Sequence, residues 1–267
     1  AQGELCGMMA IKQALLDRNE LNRKVVLVPD SAHGTNPATA AFLGFEVKTI
    51  KSDEKGLIDF SDFKNNIDEN FAGVMITNPN TCGLFETDIV KISELTHKSG
   101  GYLYCDGANF NAVVGKLKPG DLGIDAMHIN LHKTFSTPHG GGGPGSGPVV
   151  FSDRLEKFCP TPLVKNIKGD FVLIEDSNEK DLSKSFGRLN VFHGQMGMFV
   201  RAMSYMLSHG CDGLKQVSED AVLNANYLRV SLSSHLTPAF DGFCMHEVLF
   251  SDDFLKDTGV ETLDFAK

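Results

Sequence analysis

The sequence predicts an α/β fold in which a mostly parallel sheet carries helices on both faces. Short β-branched runs such as KVVLVP, FEVKTI and GVMITNP alternate with segments of helical periodicity. Polar stretches follow several of these runs, as expected where parallel strands end at one edge of a sheet. A length of 267 residues with 42% hydrophobic residues is also sufficient for one large core.

The first half of the chain supplies this alternation element by element. AQGELCGMMAIKQALL predicts a helix, KVVLVP a strand, and TNPATAAFLGF a second helix with Asn36 as its N-cap. FEVKTI predicts the next strand, and SDFKNNIDENF predicts a helix that Ser61 caps. After the strand GVMITNP comes the helix TDIVKISELTHKSGG, which Thr87 caps and two glycines end. YLYCD, DAMHINL and GPVVF predict three further strands.

From Gly194 onward the pattern becomes helical. QMGMFVRAMSYMLSHG and DGLKQVSEDAVLNANYLRVSLSSHL predict two long amphipathic helices, whose methionine and leucine stripes indicate core positions. FCMHEVLF predicts a strand after a turn at TPAFDG. We therefore expect a large domain over residues 1–240 and the start of an incomplete smaller domain over residues 241–267. Because both ends cut into helical patterns, we also expect a truncated piece of a longer protein.

Composition excludes several classes of protein. The net charge is 25 − 34 = −9, which argues against nucleic-acid binding because that requires clustered Lys and Arg. No apolar run approaches the roughly 20 residues of a membrane span, and the first ten residues carry no signal-peptide pattern. The six cysteines are scattered and form no CxxC pair. They predict free thiols and a cytoplasmic protein.

The stretch HINLHKTFSTPHGGGGPGSGP, residues 128–148, gathers glycine, histidine and one lysine where a strand ends. Gly140, Gly142 and Gly145 satisfy the spacing of a dinucleotide-binding loop. That loop needs a helix after it, whereas GPVVF predicts a strand. HGGG is similar to an esterase oxyanion loop, but Ser146 lacks the GxSxG setting of a nucleophile. Neither site is predicted.

A metal site is not predicted in this stretch either. His128 and His132 have the i, i+4 spacing that suits a metal ion only on a helix. The residues between them are expected to be extended, which would hold the two imidazoles too far apart for one ion.

Lys133 is the remaining candidate for chemistry. A lysine beside glycines is usually a solvated loop residue, but Lys133 follows an apolar strand end and lies 27 residues after Asp106, which ends another strand. A desolvated lysine can form a Schiff base. A carboxylate across the same site can keep a pyridine nitrogen protonated. This pairing is the one that pyridoxal phosphate requires, so the spacing predicts a pyridoxal-phosphate site.

Several longer motifs then match a known family. SAHGTNPA, CDGANFNAVVG, PGDLGIDAMHINLHKTFSTPHGGGGPGSGP and EDAVLNANYL strongly resemble the glycine dehydrogenase (decarboxylating) family, the P-protein of the glycine cleavage system. The resemblance covers essentially the whole chain. SFGRLNVFHGQMG and CMHEVLF look more like the separate second subunit of the two-subunit form than the fused chain. The resemblance implies the fold-type I architecture of pyridoxal-phosphate-dependent transferases.

The resemblance also implies roles for individual residues. Lys133 would bind pyridoxal 5'-phosphate covalently as an aldimine, and Asp106 would be the carboxylate at its pyridine nitrogen. His33 would stack on the cofactor ring, the alternative being a capping or turn residue. Thr77 and Asn109 would reach the ring hydroxyl or flank the ring, or serve the structure only.

The remaining implied contacts involve the cofactor phosphate. Ala1 and Gln2 resemble the helix start whose amides hold that phosphate, since a helix N-terminus favours an anion. His132 would pack beside the lysine or touch the phosphate. Cys82 and Cys105 are expected to be buried small hydrophobic residues near the site.

The implied reaction is the decarboxylation of glycine, with transfer of the aminomethyl group to the lipoyl arm of the H-protein. The implied partners are glycine, lipoylated H-protein and a P-protein subunit of similar fold, assembled as a heterotetramer. Arg188 and Arg201 are candidates for the substrate carboxylate or for surface roles. Two alternatives stay open: another fold-type I enzyme, such as a hydroxymethyltransferase or a cysteine desulfurase, and a non-catalytic scaffold subunit of that fold.

Overall fold

The main sheet has the predicted, mostly parallel arrangement. The structure is a computed structural model that describes residues 1–175 and 184–267. In this part of the chain the sheet is built from β1 (Val25–Pro29), β2 (Glu46–Ile50), β3 (Phe71–Thr77), β4 (Tyr102–Gly107), β5 (Ala126–Ile129) and β6 (Val149–Phe151). Their order is β2-β1-β3-β4-β5-β6. The strands β1 to β5 pair in parallel, and β6 pairs antiparallel with β5.

Helices cover both faces of this sheet, as predicted. The helices are α1 (Gln2–Asp17), α2 (Thr35–Phe42), α3 (Phe60–Asn65), α4 (Ile89–Lys98), α5 (Leu131–Thr134), α6 (Met196–Leu232) and α7 (Thr262–Ala266). Alternate strand residues point to opposite faces. On one face Val26 and Tyr104 pack with residues of α1 and α2. On the other, Leu27 and Leu103 pack with residues of α3 and α4.

Three predicted helix caps are wrong. The cap of α2 is Gly34, and Asn36 lies inside the helix with its side chain fully buried. The α3 helix is capped by the Asp59 side chain, which accepts hydrogen bonds from two first-turn amides, one of them that of Ser61. The N-cap of α4 is Asp88 rather than Thr87. A carboxylate is as good a cap as a hydroxyl, so position in the fold decided between neighbouring candidates.

The second half of the chain partly follows its prediction. The two predicted helices lie within α6, which breaks at Gly210, whose φ is 66°. The predicted strand FCMHEVLF is wrong, because the backbone there forms only an isolated bridge between Pro238 and Phe250. Cys244 instead exchanges two hydrogen bonds with the Asn226 side chain, at 2.7 and 3.2 Å. The predicted boundary near residue 240 stays a prediction.

Two smaller features complete the described part of the chain. The strands β7 (Leu163–Ile167) and β8 (Asp170–Ile174) form an antiparallel pair apart from the main sheet. None of the helices described is long and apolar enough to cross a membrane.

Asp125 joins four segments at the amino ends of the central strands. It immediately precedes β5, and its side chain is 1% exposed. Both carboxylate oxygens lie 2.9 Å from Nη1 of Arg154. One oxygen also accepts hydrogen bonds from the Leu103 amide at 2.8 Å and from Nε2 of His97 at 2.9 Å. This cluster lies at the edge of the sheet opposite the candidate site.

Candidate active site

The sequence-predicted site residues lie mainly after the carboxyl ends of β1, β3, β4 and β5. The chain leaves β1 to form β2 on one side and returns to form β3 on the other, so the strand order reverses between β1 and β3. Ligands of open α/β sheets bind at such a switch point. His33 follows β1, Asn109 follows β4 and Lys133 follows β5.

Asp106 is the central carboxylate of this edge. It lies near the end of β4 opposite Thr77 of β3 and His128 of β5, and it is 4% exposed. Its Oδ2 accepts a hydrogen bond from Nδ2 of Asn36 at 3.1 Å. Its Oδ1 accepts one from the Ala108 amide at 2.9 Å and lies 3.3 Å from Nε2 of His128. Two donors and the adjacent His128 ring, from three segments, therefore orient the carboxylate.

The ring of His128 links Asp106 to Tyr104. His128 is 5% exposed, and its Nδ1 lies 2.5 Å from the Tyr104 hydroxyl. Burial lowers the pKa of His128 below the usual histidine value, although the negative charge of Asp106 opposes that shift. Burial raises the pKa of Tyr104 well above the usual tyrosine value. At neutral pH both groups are therefore uncharged.

Asp106 consequently has only neutral hydrogen-bond partners among the described residues. Asn36 and the Ala108 amide donate to it, neutral His128 lies 3.3 Å away, and no Lys or Arg forms an ion pair with it there. Burying a carboxylate is costly unless a positive charge or hydrogen bonds offset the lost hydration. The carboxylate is therefore oriented and still able to bind a cation from outside the chain.

Lys133 lies in the short helix α5, directly after β5. The residues Leu131 and Phe135 on either side of it pack against Met198 and Ala202 of α6. The Lys133 side chain is exposed, and its ammonium group has no hydrogen-bond or ion-pair partner in the described chain. The helix therefore anchors the backbone of the lysine while leaving its amine free.

The polar side chains next to Lys133 are not fully satisfied. Within the described residues, three buried side-chain atoms have no hydrogen-bond partner: Oγ1 of Thr134, Oγ1 of Thr137 and Nδ1 of His132. His132 also lies in edge contact with the His139 ring, with ring centroids 4.5 Å apart. Burial lowers the pKa of His132, and the neighbouring His139 and Lys133 side chains lower it further. The expected extended conformation is wrong at His132, which lies in α5.

Thr77 belongs to the Asp106 network, whereas His33 and Asn109 do not. The Thr77 hydroxyl donates to Oδ1 of Asn36 at 3.4 Å. Asn109 donates its amide to the backbone carbonyls of Pro79 and Asn80, at 3.0 and 3.2 Å. The exposed His33 accepts a hydrogen bond at Nδ1 from the Thr35 amide at 3.2 Å, at the start of α2.

The start of α1 lies beside β5. A Cβ atom added to Gly3 would come within 2.8 Å of the Gly147 carbonyl oxygen and 3.2 Å of Cβ of His128. Only glycine permits this approach. Ala1 and Gln2 are exposed, and no side chain caps the helix. The first amides of α1 therefore remain available to an anion.

The donor set fits pyridoxal phosphate. The cofactor presents a ring nitrogen that carries a proton, an aldehyde that condenses with an amine, and a phosphate. The buried Asp106 carboxylate, which has no cationic partner in the described chain, matches the ring nitrogen. The free amine of Lys133 matches the aldehyde, and the uncapped start of α1 matches the phosphate. The unsatisfied atoms Oγ1 of Thr134 and Nδ1 of His132 supply further polar contacts near the lysine. Lys133 and Asp106 do not contact each other directly. They are linked through the sheet, because Lys133 follows β5 and Asp106 lies on β4, which pairs with β5.

Other candidates are less well supported by their surroundings. Arg188 forms an ion pair with Glu175 at 2.6 Å, and Arg201 is exposed on α6. Cys105 is buried as expected, and burial raises the pKa of its thiol to about 12, but Cys82 is only partly buried. Within residues 1–175 and 184–267, no group of three or more His, Cys, Asp or Glu residues could hold a metal ion.

Sequence reasoning missed three residues of the Asp106 network. Asn36 was expected to cap a helix, His128 was considered only as a metal ligand, and Tyr104 was assigned only to a strand. The usable signal lies in the strands themselves. Each strand carries a polar residue near its carboxyl end, and the β4–β5 register then places His128 opposite Asp106.

Comparison with known proteins is consistent with this geometry. The family model for class-V aminotransferases matches residues 3–160. A probable glycine dehydrogenase (decarboxylating) subunit 2 from Caulobacter vibrioides is 59% identical over all of this chain, which covers 51% of that protein. The protein of the same description from Thermotoga maritima is 52% identical, again over the whole chain, with 55% of its length covered. The chain thus spans about half the length of these relatives, and the resemblance to this enzyme family is confirmed.

The fold agrees with a solved structure as well. The crystal structure of glycine decarboxylase, the P-protein of the glycine cleavage system, in an inhibitor-bound form superposes with a TM-score of 0.71. The match covers 91% of this chain and 56% of that protein at 22% identity. The predicted fold-type I architecture is therefore confirmed.

Proposed function

Because the chain belongs to the class-V aminotransferase family, we propose that it carries the pyridoxal-phosphate site of a glycine dehydrogenase (decarboxylating) of the subunit 2 type. The observation that carries this proposal is the buried Asp106 carboxylate, which has two neutral donors, a neutral histidine ring beside it and no cationic partner in the described chain. The 59% identity to a protein described as that subunit supports the choice of reaction.

The proposed roles follow from where each side chain lies. Asp106 would hold the proton on the ring nitrogen, and Lys133 would bind the cofactor covalently through its free amine. Thr77 would lie beside the ring because it is hydrogen-bonded to the same asparagine as Asp106. His33 and Asn109 would flank the ring from the loops after β1 and β4.

The phosphate would lie at the start of α1. The amino group of Ala1 and the amide of Gln2 lie there at the positive end of the helix dipole, which favours an anion. His132, next to Lys133, would donate a hydrogen bond to the phosphate or pack against it. Its Nδ1 currently has no partner.

The cofactor, when bound, supplies a ring that takes up the electron pair released as glycine loses carbon dioxide. The side chains of the protein hold and move the protons around that ring. Asp106 keeps a proton on the ring nitrogen because its charge stabilises the protonated form. The amine of Lys133, when not bound to the cofactor, would act as the base that moves a proton at the substrate carbon. Asn36 and Thr77 keep the carboxylate oriented throughout.

The lysine side of the site requires a cover. The exposed Lys133 amine would be open to water, and water must be excluded for such chemistry. We therefore assign this role to a partner subunit of similar fold, which gives the heterotetramer expected from the resemblance. Lipoylated H-protein would accept the aminomethyl group, in the cytoplasm.

The first experiment locates the covalent bond. The 267-residue chain is incubated with pyridoxal phosphate, reduced with borohydride and digested, and the peptides are analysed by mass spectrometry. The label is expected on Lys133 and is expected to disappear in Lys133→Ala. A label on another lysine would contradict the assignment.

The second experiment tests the reaction. A chain extended to the length of the relatives is combined with its partner subunit and lipoylated H-protein, and exchange of labelled bicarbonate into glycine is measured. Exchange that depends on all three proteins is expected. Sulfide release from cysteine, or serine formation with a tetrahydrofolate donor, would instead favour a desulfurase or a hydroxymethyltransferase.

A further inference from the structure

Behind Asp106 lies a pair of side chains that the proposed roles do not use. Tyr104 and Asp106 are two residues apart on β4 and therefore point to the same face of the sheet. His128, opposite Asp106 on β5, contacts both of them. All three side chains are buried. The pair thus connects the core under α1 to the carboxylate of the candidate site.

The surroundings of His128 decide which ring nitrogen carries the proton. Nε2 faces two acceptors, Oδ1 of Asp106 at 3.3 Å and Oδ1 of Asn130 at 3.1 Å. A neutral imidazole has one donor and one acceptor. The proton therefore lies on Nε2, and Nδ1 accepts the hydrogen bond of the Tyr104 hydroxyl.

Charged groups near His128 come from two other elements. Glu4, buried in the first turn of α1, raises the pKa of His128 as Asp106 does, whereas the amino group of Ala1 lowers it. The second of these elements is α5, whose His132 contacts the side chain of Asn130, the residue that also contacts His128. Burial outweighs both carboxylates and lowers the pKa of His128 overall.

We propose that Tyr104 and His128 are positioning residues for Asp106, in which the phenol holds the imidazole neutral, with its Nε2 hydrogen-bonded to Asn130 and 3.3 Å from the carboxylate. A neutral ring at this distance keeps the carboxylate in place without offsetting its charge. A charged imidazole would be the wrong neighbour, because it would neutralise the carboxylate that a protonated ring nitrogen requires. By donating to Nδ1, the tyrosine satisfies the nitrogen at which a second proton would bind.

This inference rests on the proposed role of Asp106 at the cofactor ring and deepens it. Asp106 would touch the cofactor, whereas Tyr104 and His128 would act through Asp106. A purely structural role for Tyr104 would leave the charge on His128 and the choice of ligand unaffected. The measurements below therefore follow charge and ligand choice rather than stability.

The first test uses the cofactor-free chain labelled with 15N-histidine. Nitrogen chemical shifts distinguish a protonated from an unprotonated ring nitrogen. At pH 7 we expect His128 to be neutral with its proton on Nε2. In Tyr104→Phe the neutral form loses its donor at Nδ1, so the titration midpoint of His128 is expected to rise.

Tyr102→Phe is the matched control for this test. Tyr102 lies two residues earlier on the same face of β4, and its ring lies 4.5 Å from the Arg154 guanidinium rather than beside His128. The control should leave the His128 titration unchanged. A charged His128 at pH 7 in the parent chain, or a proton on Nδ1, would overturn the proposal.

The second test compares two ligands. Affinity is measured for pyridoxal phosphate and for its carbocyclic analogue, in which a CH group replaces the ring nitrogen and no N–H can form. Tyr104→Phe is expected to weaken pyridoxal phosphate binding about tenfold, because a His128 that gains a proton more readily would offset part of the Asp106 charge. Binding of the analogue should not change. An equal loss for both ligands would mean a structural role only.

A double-mutant cycle sharpens the result. His128→Gln replaces the ring by a neutral amide donor that has no titrating nitrogen, and it should keep most of the affinity, whereas His128→Leu should not. In the His128→Gln background, Tyr104→Phe should no longer affect pyridoxal phosphate binding. A full tenfold loss in that background would show that the tyrosine does not act through His128.

The outcomes separate this inference from the proposed function. If the parent chain does not prefer pyridoxal phosphate to the carbocyclic analogue, or binds neither, the proposed role of Asp106 fails. If it does prefer pyridoxal phosphate but Tyr104→Phe shows the same preference, only the positioning role fails. The nitrogen shifts of the cofactor-free chain decide the protonation of His128 in either case.

Discussion

Two buried aspartates, one at each end of the β4–β5 pair, have opposite electrostatic settings. Asp125, at the amino end, contacts the Arg154 guanidinium at 2.9 Å and accepts further hydrogen bonds from His97 and the Leu103 amide. Asp106, at the carboxyl end, has two hydrogen-bond donors and the His128 ring beside it within the described chain, all of them neutral at pH 7. Both carboxylates are oriented, but only that of Asp125 has a cation of the same chain beside it.

The difference shows what each carboxylate does. The charge of Asp125 is offset inside the protein, so its contribution is to stability. The charge of Asp106 has no such partner in the described chain, so in its proposed role it would contribute to binding and rate and would stabilise the free protein little. Variants of the two residues should therefore separate activity from stability.

The largest expected effect is on rate, in Asp106→Asn. The amide keeps the shape of the carboxylate but cannot hold a proton on the ring nitrogen. We expect the glycine–bicarbonate exchange rate of the assembled enzyme to fall by about 10²–10³-fold, as when one electrostatic stabiliser is removed. The free energy of unfolding should fall by only about 1 kcal/mol. Exchange near the parental rate would remove the contrast between the two aspartates.

The next largest effect is on stability, in Asp125→Ala. The change leaves Arg154, His97 and the Leu103 amide without their acceptor. Breaking a fully buried pair costs about 3–5 kcal/mol, and since about a third of the Arg154 side chain is exposed to solvent we expect about 2–3 kcal/mol. Urea denaturation measures this loss. Asp88→Ala, which removes an exposed pair with Lys91, is the control and should cost under about 0.5 kcal/mol.

A smaller effect is the contribution of His128 to the pH dependence of stability. Because burial lowers the pKa of His128 in the folded chain, the unfolded chain binds the proton more readily. The contribution of His128 to stability is therefore complete above the usual histidine pKa of about 6.5. It is lost as the pH falls below that value.

Urea denaturation at a series of pH values measures this dependence. His128→Gln should lose less stability than the parent chain between neutral and mildly acidic pH. His132→Gln is the comparison, because burial also lowers the pKa of His132, though that ring is less buried. Identical pH profiles for the parent chain and His128→Gln would contradict the assignment of a buried neutral ring.

The smallest stability effect is expected for Lys133→Ala. The side chain is exposed and has no partner among the described residues, so the free energy of unfolding should change by less than about 0.5 kcal/mol. Thermal unfolding of the cofactor-free chain measures this. A large loss would mean that the lysine is part of the core and is not held free for a cofactor.

The sequence by itself was sufficient for the order along the chain of the strands that form the main sheet, and it also selected the candidate residues of the proposed site. β-branched runs and helical periodicity are local signals, and β1 to β6 lie where these signals predicted them. Lys133 and Asp106 could be selected because each follows or ends an apolar strand. Caps were less predictable, since Asp59 and Ser61 are both good cap residues and only the path of the backbone selects one.

The tertiary structure alone decided how the two aspartates differ. Nothing in the local sequence separates YLYCD from GIDAM as settings for a buried carboxylate. Asn36 reaches Asp106 from 70 residues away, and Arg154 reaches Asp125 from 29 residues away. Strand register then brings His128 opposite Asp106. Hydrogen bonds and ion pairs depend on distances in space. Periodicity along the chain carries no information about which distant side chain lies beside a given carboxylate.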